Sequence, residues 1–222
     1  MTLRLIVFDC DGVLVDSEAL VVEIEAEMLS SAGYPITADE LAERFVGLSY
    51  QTMMIEIGKD HGRPISNELS KRVQQAALDQ FPARLKPVAG IAELLSRSGM
   101  PRCVASSSDV ERIALSLSVT ELDLYFEPAR IFSAEMVEHG KPAPDLFELA
   151  AYRCGEVDPR SCVVIEDSPA GVAAGVAAGM TVLGLTAGSH ARPDLADRLL
   201  AAGAERTLAT VAELEAHLDR FE

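Results

Sequence analysis

Basic residues are scarce in this sequence, and tryptophan is absent. The 222 residues include 19 lysines and arginines against 35 aspartates and glutamates, which gives a formal net charge of −16. Such an acidic surface repels nucleic acid and anionic membranes, so we expect neither as a partner. An anionic ligand would need local positive charge from a metal ion, a lysine or backbone N–H groups.

Long apolar segments and metal-type cysteine spacings are also missing. No run approaches the roughly 20 apolar residues that span a bilayer, and the short apolar stretch near the amino terminus leads straight into acidic residues, unlike a signal peptide. Cys10, Cys103, Cys154 and Cys162 show no CxxC or Cys/His spacing. We expect a cytoplasmic protein with reduced thiols, a monomer or weak homo-oligomer, with Cys10, Cys103 and Cys162 buried in its core.

What is present is a repeated order of short apolar run, polar or glycine turn, and helical stretch. This order predicts an α/β fold with a parallel sheet covered by helices on both faces, a Rossmann-like three-layer α/β/α core. The predicted strands are residues 3–8, 102–105, 131–132, 162–165 and 181–185. The predicted helices between them are residues 88–98, 109–117, 144–153 and 169–178.

Residues 17–82 break this order. Apolar residues recur every fourth position from Leu20, the segment from Thr37 to Glu40 has the form of a capping box, and Ser49 and Ser66 are candidate helix starts. The stretch contains four helical patterns and no convincing strand.

An inserted domain accounts for this change of pattern. We predict an all-helical cap domain at residues 16–82, inserted into an α/β core formed by residues 1–15 and 83–222. The connectors are predicted at residues 14–16 and 81–87, of which the second contains two prolines.

Polar side chains fall where the predicted strands end. Asp9 follows the first strand, Ser106 the second, and Glu166 and Asp167 a later one. The carboxyl ends of parallel strands share one edge of a sheet, where ligands bind. Lys141, in the loop after the third strand, is placed to reach the same crevice.

The acidic residues of this edge predict a metal site. Asp9 and Asp11 are separated by one residue and followed by Gly12, which relaxes the turn. Close carboxylates repel one another and need a cation or a shared proton. With Glu166 and Asp167 they offer an oxygen-rich site that suits Mg²⁺ better than zinc.

The same residues suit phosphoryl transfer. One carboxylate attacks phosphorus to form an aspartyl phosphate, and the other protonates the leaving oxygen and then deprotonates the attacking water. Lys141 and the metal balance the transferred charge, while Ser106 and nearby N–H groups donate to phosphoryl oxygens.

Four segments, in order along the chain, resemble the four motifs of the haloacid dehalogenase superfamily. The helical insert resembles the cap of its β-phosphoglucomutase-like and phosphoglycolate-phosphatase-like branch. The segments are Asp9-Cys-Asp11-Gly-Val-Leu-Val-Asp-Ser, Val104-Ala-Ser106-Ser-Ser, Gly140-Lys141-Pro-Ala-Pro-Asp-Leu-Phe and Val164-Ile-Glu166-Asp167-Ser-Pro-Ala-Gly171.

The resemblance implies Asp9 as the nucleophile and Asp11 as the general acid and base, an acid that a dehalogenase does not need. It implies Mg²⁺ held by Asp9, the Asp11 backbone carbonyl and Asp167, with Glu166 contributing directly or through water. The phosphate-binding residues that it implies are Ser106, Ser107 and Lys141.

Three functions remain as alternatives. We favour a phosphatase for a phosphorylated sugar or sugar acid over a sugar-phosphate mutase, because related mutases carry a cap arginine where this chain has Tyr50, and a histidine where it has Val21. A phosphorylation-controlled binding module is more remote, since receiver domains place an acidic pair first and their phosphorylated aspartate in mid-chain.

Candidate substrate contacts in the insert are Glu18, Arg44, Ser49 and Tyr50. The four histidines show no ligand spacing, and we expect them to be exposed or bonded locally. Among these four, His139 is the possible exception because it lies two residues before Lys141. The others are His61, His190 and His217.

Overall fold

The structure is a computed structural model that describes residues 3–45 and 50–221. Its contacts divide the chain into two units, one formed by the residues up to Asp16 together with those from Lys86 onward, and the other by Ser17–Leu85. These boundaries lie one and three residues beyond those expected at positions 15 and 82. We call the first the core unit and the second the helical unit.

The core unit is built on a six-stranded parallel sheet with the strand order β3-β2-β1-β4-β5-β6. Five strands match the predicted ones, whereas β6 was missed because only one of its three side chains, Leu208, is buried. The strands are β1 (Leu5–Phe8), β2 (Arg102–Ser106), β3 (Ile131–Ser133), β4 (Cys162–Glu166), β5 (Thr181–Leu185) and β6 (Arg206–Leu208).

The helical unit contains four α-helices among its described residues. The predicted capping box is confirmed, because the Thr37 side chain accepts from the Glu40 N–H while Glu40 accepts from the Thr37 N–H. Ser66 caps the last helix as predicted, and Ser49 lies outside the described residues. The helices are α1 (Glu18–Ser31), α2 (Ala38–Arg44), α3 (Tyr50–Asp60) and α4 (Asn67–Arg84).

The second predicted connector begins too early. Residues 81–84 form the last turn of α4, which therefore contains Pro82. Proline lacks an N–H and removes a helix hydrogen bond, but Phe81 is fully buried and its carbonyl accepts from the Leu85 N–H. Burial of Phe81 keeps this turn helical despite the proline.

The core helices cover both faces of the sheet, and the predicted Rossmann-like α/β fold is confirmed. Leu5 and Val7 of β1 join a buried cluster with Leu146 and Val172, while Ile6 and Phe8, whose side chains point to the opposite face, are also buried. The helices are α5 (Ile91–Arg97), α6 (Val110–Val119), α7 (Asp145–Arg153), α8 (Pro169–Ala177), α9 (Leu195–Ala201) and α10 (Val211–Leu218).

The three cysteines predicted to lie in the core, Cys10, Cys103 and Cys162, are buried free thiols. In the part of the chain that the structure describes, no helix has both the length and the apolar character needed to cross a membrane.

Candidate active site

Three carboxylates meet at the carboxyl edge of the sheet. Asp9 follows β1 and Glu166 ends β4, and because these strands are neighbours their ends lie side by side. Asp167 is the next residue, and one carboxylate oxygen from each of the three lies within 4.8 Å of the others. All three residues are buried, so this set is able to hold a metal ion.

Lys141 binds two of these carboxylates at once. Its Nζ lies 2.6 Å from Asp9 Oδ1, 2.6 Å from Glu166 Oε1 and 2.9 Å from the Ala105 carbonyl oxygen. The side chain is only 3% exposed. Burial by itself lowers the pKa of Lys141, but the charges of Asp9 and Glu166 outweigh burial and raise the pKa above its ordinary value. The lysine is therefore a fixed positive charge beside Asp9.

The cluster still carries more negative than positive charge. Burial raises the pKa of Asp9 well above its ordinary value, and Glu166 and Asp167 raise it further against the opposing effect of Lys141. Burial likewise raises the pKa of Asp167, with His190 opposing it. Three buried carboxylates beside one lysine are costly to ionise together, and a divalent cation would offset part of that cost. All-oxygen donors fit magnesium or another hard cation.

Glu166 is held by the chain that follows it. Its Oε2 accepts from the N–H groups of Asp167 and Ser168, at 3.0 and 2.9 Å, and from the Ser168 hydroxyl at 2.9 Å. Ser168 in turn caps α8 by accepting from the Gly171 N–H. A Cβ at Gly171 would lie 1.7 Å from Glu166 Oε1, so glycine leaves the space that this carboxylate fills.

Asp11 has hydrogen-bond partners outside the carboxylate cluster. Its Oδ1 accepts from Arg112 Nη2 at 2.9 Å, and its Oδ2 accepts from the Ser108 hydroxyl at 2.6 Å. Its side chain is 14% exposed. The carboxylate of Asp11 is not part of the three-residue cluster, so the Asp-x-Asp motif sends its two side chains into different surroundings.

The serines after β2 differ from one another. Ser106 is buried, and its Oγ accepts from the Ser108 N–H at 3.1 Å. Ser107 is exposed. The end of β2 is joined to the carboxylate cluster through the Ala105 carbonyl and Lys141.

His190 lies beside the cluster, contrary to the expectation of an exposed or locally bonded histidine. Its Nε2 is 2.9 Å from Asp167 Oδ2, across 23 residues of sequence, and its side chain is 22% exposed. A Cβ at Gly188 would come within 2.7 Å of the ring, and one at Gly12 would come within 1.9 Å of Asp167 Oδ2 and 2.8 Å of the ring.

The loop that carries His190 follows β5 and is fixed by its neighbour Ser189. The Ser189 N–H and hydroxyl donate to Asp16 Oδ1 at 2.9 and 2.8 Å. The rule that placed the other polar residues at strand ends applies to this loop as well and was the signal for His190.

The other histidines give mixed outcomes. His217 is buried, which rules out the first of the two expected states, an exposed side chain, and leaves the second, local bonding, as a prediction. His139 is exposed and lies 3.2 Å from Asp145 six residues away, which confirms local bonding. His61 packs edge-on against Tyr34.

Two of the four predicted contacts, Arg44 and Tyr50, are bonded within the helical unit. Arg44 pairs with Asp60, and the Tyr50 hydroxyl donates to the Ser70 carbonyl at 3.0 Å. Glu18 is the first residue of α1 and is half-buried. Ser49 is outside the described residues.

Residues 6–185 match a family model described as haloacid dehalogenase-like hydrolase. The chain belongs to this family. The prediction of a haloacid dehalogenase-type hydrolase is thereby confirmed. The chain is similar to the 6-phosphogluconate phosphatase of Escherichia coli (strain K12), with 30% identity over 84% of each chain. It is also similar to a probable pseudouridine-5'-phosphatase of Drosophila melanogaster, with 34% identity over 80% of this chain and 79% of that protein.

Solved structures of the family share the fold over nearly the whole chain. A haloacid dehalogenase-like protein of unknown function from Agrobacterium tumefaciens str. C58 has a TM-score of 0.89 and 37% identity, with 98% of each chain covered. A family hydrolase from Deinococcus radiodurans R1, with bound phosphate and sodium, has a TM-score of 0.85 and 32% identity, covering 99% of this chain and 96% of that one. A putative β-phosphoglucomutase from Thermotoga maritima has a TM-score of 0.81 and 29% identity, covering 98% and 99%.

Proposed function

We propose that the protein is a magnesium-dependent phosphatase that hydrolyses a small phosphate monoester, of a sugar or sugar acid, through an aspartyl phosphate on Asp9. The observation that carries this proposal is the buried Lys141, which bonds both Asp9 and Glu166 inside a cluster of three carboxylates. A carboxylate beside a fixed cation and a metal-type acidic set has the parts that phosphoryl transfer needs.

The metal would be held by Asp9, Asp167 and the backbone carbonyl of Asp11. Glu166 contributes directly or through water, and its oxygens already bind Lys141 and the turn before α8. When bound, Mg²⁺ supplies positive charge that offsets the phosphoryl oxygens and the crowded carboxylates.

Asp9 and Asp11 divide the chemistry. A carboxylate oxygen of Asp9 attacks phosphorus, a new O–P bond forms, and the ester P–O bond breaks while Asp11 gives its proton to the leaving oxygen. Asp11 then accepts a proton from the water that attacks the same phosphorus, which releases inorganic phosphate and restores Asp9. Lys141, Ser106, Ser107 and nearby N–H groups balance the charge of the transferred group.

The substrate class rests on the relatives. The relative from Escherichia coli is named as a 6-phosphogluconate phosphatase, whose substrate is a phosphorylated sugar acid, and the relative from Drosophila melanogaster is named as a probable pseudouridine-5'-phosphatase. We propose substrate contacts for Glu18, Arg44, Ser49 and Tyr50 of the helical unit. The substrate is an anion, and the chain itself has a net charge of −16. The positive charge that faces the phosphoryl group therefore comes from Lys141 and the metal.

A sugar-phosphate mutase is the second candidate, favoured by the likeness to the putative β-phosphoglucomutase. Tyr50, in place of the mutase arginine, argues against it because a phenol supplies no positive charge for a second phosphate. Net release of phosphate from a hexose 1-phosphate without formation of the 6-phosphate supports the phosphatase, and the reverse result supports the mutase.

The nucleophile is tested with p-nitrophenyl phosphate. We expect turnover with Mg²⁺, none with chelator, and none from Asp9→Asn, together with an acid-trapped phosphoryl group on the peptide containing Asp9 in the wild type. Asp158→Asn is the matched control, since Asp158 pairs with exposed Arg160 ahead of β4. Full activity of Asp9→Asn would show that the nucleophile is assigned wrongly.

The substrate is tested with a panel of phosphorylated sugars, hexitols and sugar acids, each assayed for phosphate release. We expect kcat/KM for one such class to exceed that for p-nitrophenyl phosphate. Binding of the panel without turnover in Mg²⁺ would instead support a binding module.

A further inference from the structure

We propose that Arg112 and Ser108 position Asp11 for proton transfer, with Arg112 holding Oδ1 and Oδ2 carrying the proton that goes to the leaving group. This inference rests on the proposed phosphatase function and deepens it. Arg112 lies outside the four motifs of the sequence, and its contact with Asp11 spans 101 residues.

Both donors are mounted on rigid parts of the core unit. Arg112 is in the first turn of α6, where its N–H donates to Asp109 Oδ1 at 2.7 Å and completes the helix cap. The Ser108 N–H donates to Ser106 Oγ, and its carbonyl accepts from the Ser133 hydroxyl at 2.7 Å. The ends of β2 and β3 therefore fix the serine, and the start of α6 fixes the arginine.

The two donors differ in what they allow Asp11 to do. A guanidinium has only donors and carries a full positive charge, so it disfavours a proton on the oxygen that it faces. A hydroxyl can turn from donor to acceptor, so the oxygen that faces Ser108 can carry a proton without losing its partner. Oδ1 faces Arg112 and Oδ2 faces Ser108, which assigns the transferable proton to Oδ2.

Each reacting carboxylate thus has its own cation. Lys141 lies against Asp9, and Arg112 lies against Asp11 at 2.9 Å with 24% of its side chain exposed. Without Arg112, Asp11 would lose the donor that holds its Oδ1 and would turn more freely away from the leaving oxygen. The resulting loss of activity should appear only with substrates whose leaving group needs a proton.

The test compares two nearly isosteric esters, phenyl phosphate and p-nitrophenyl phosphate, at saturating Mg²⁺. Phenolate is the poorer leaving group and depends on the acid, whereas p-nitrophenolate leaves readily without one. The ratio kcat/KM reports the steps up to transfer of the phosphoryl group to Asp9. Since a general acid contributes roughly 10²–10⁴-fold, we expect Arg112→Met to lower kcat/KM about tenfold for phenyl phosphate and about twofold or less for p-nitrophenyl phosphate.

Conservative and control variants separate positioning from folding. Arg112→Lys should recover part of the loss because one donor and the charge remain, and Ser108→Ala should show the same difference between esters with no change of charge. Arg160→Met removes an arginine that is 84% exposed and pairs with Asp158, and should leave both esters unchanged. Circular dichroism confirms that each variant is folded.

The decisive measurement is Arg112→Met in an Asp11→Asn background. If Arg112 acts through Asp11, Arg112→Met should cause no further change in the ratio of kcat/KM between the two esters in that background. Equal losses for both esters, or a full additional loss in the Asp11→Asn background, overturn the inference. If the wild type releases no phosphate from either ester, the proposed function fails; if it turns over both and the variants show no difference between esters, only this inference fails.

Discussion

The carboxyl edge of the sheet and the helical unit both contain ion pairs, but the two sets differ in burial. Lys141 is 3% exposed and bonds two buried carboxylates, whereas Arg44 and Asp60 are 46% and 43% exposed. A buried pair is costly to break because the partner left behind has no water, and an exposed pair contributes little. The carboxyl edge of the sheet thus fixes its charges in place, while the exposed pair of Arg44 and Asp60 in the helical unit can be broken at little cost.

The largest effect should come from Lys141→Met. It leaves Asp9 and Glu166 buried without their cation, and we expect a loss of about 3–5 kcal/mol in the free energy of unfolding, the usual cost of breaking a buried pair. Urea denaturation in chelator measures it. Lys59→Met is the matched control in the helical unit, where Lys59 is 66% exposed beside Glu56, and should change stability by under about 0.5 kcal/mol. Equal changes in the free energy of unfolding for both lysines would show that the buried pairs of the carboxyl edge and the exposed pairs of the helical unit do not differ in cost.

The next effect concerns the glycine behind Glu166. Gly171→Ala puts a methyl group into the position of the carboxylate, and overpacking of this kind costs about 1–3 kcal/mol. We also expect phosphatase activity to fall, since Glu166 holds Lys141. Gly99→Ala, with open space around the added atom, serves as the control for thermal unfolding and activity. An active, fully stable Gly171→Ala would mean that Glu166 can move without consequence.

A smaller effect is expected from the cap of α2. Thr37→Ala removes the side-chain half of the capping box and should destabilise the helical unit by about 1 kcal/mol. Thr37→Ser keeps the hydroxyl and should behave as wild type. Hydrogen exchange of the α2 amides measures the change, which should leave the amides of β1 and β4 protected. Loss of protection throughout both units would show that they unfold together.

The smallest effect on stability belongs to Arg44. Arg44→Ala breaks the exposed pair with Asp60 and should cost under about 1 kcal/mol, as should Asp60→Ala. For p-nitrophenyl phosphate we expect kcat and KM within about twofold of wild type. If Arg44→Ala, but not Asp60→Ala, raises KM for the substrate found in the panel, Arg44 contacts that substrate.

Sequence reasoning reached the fold and the grouping of three carboxylates for one physical reason. Parallel strands end at a common edge, so Asp9, Glu166 and Asp167 could be placed together from their positions after apolar runs. The capping box at Thr37 was equally readable because its partners lie three residues apart. Both predictions depend on local order along the chain.

The missed contacts are made by long side chains whose direction in the folded chain does not follow from the sequence pattern. Arg112 sits in the first turn of a helix, and nothing in its neighbours indicates that it bends back to Asp11. The pairing of Arg44 with Asp60 joins two separate helices, α2 and α3, and the helical patterns do not indicate which of their side chains meet. β6 was missed because its short run has one buried residue, too few for an apolar pattern.

The fit of the His190 ring against Gly12 and Gly188 has a consequence for sequence change. A Cβ at Gly12 would meet Asp167 Oδ2 at 1.9 Å before it met the ring, so that glycine is needed whatever residue stands at position 190. A Cβ at Gly188 would meet the ring first, at 2.7 Å. Gly12 also has a φ of +77°, which restricts it on its own account, but Gly188 has only steric restrictions. Replacing His190 with a small residue would therefore remove the closest contact of an alanine at position 188 and leave its Cβ 3.1 Å from the Gly12 carbonyl oxygen. Anyone redesigning this loop would have to alter the histidine before the glycine.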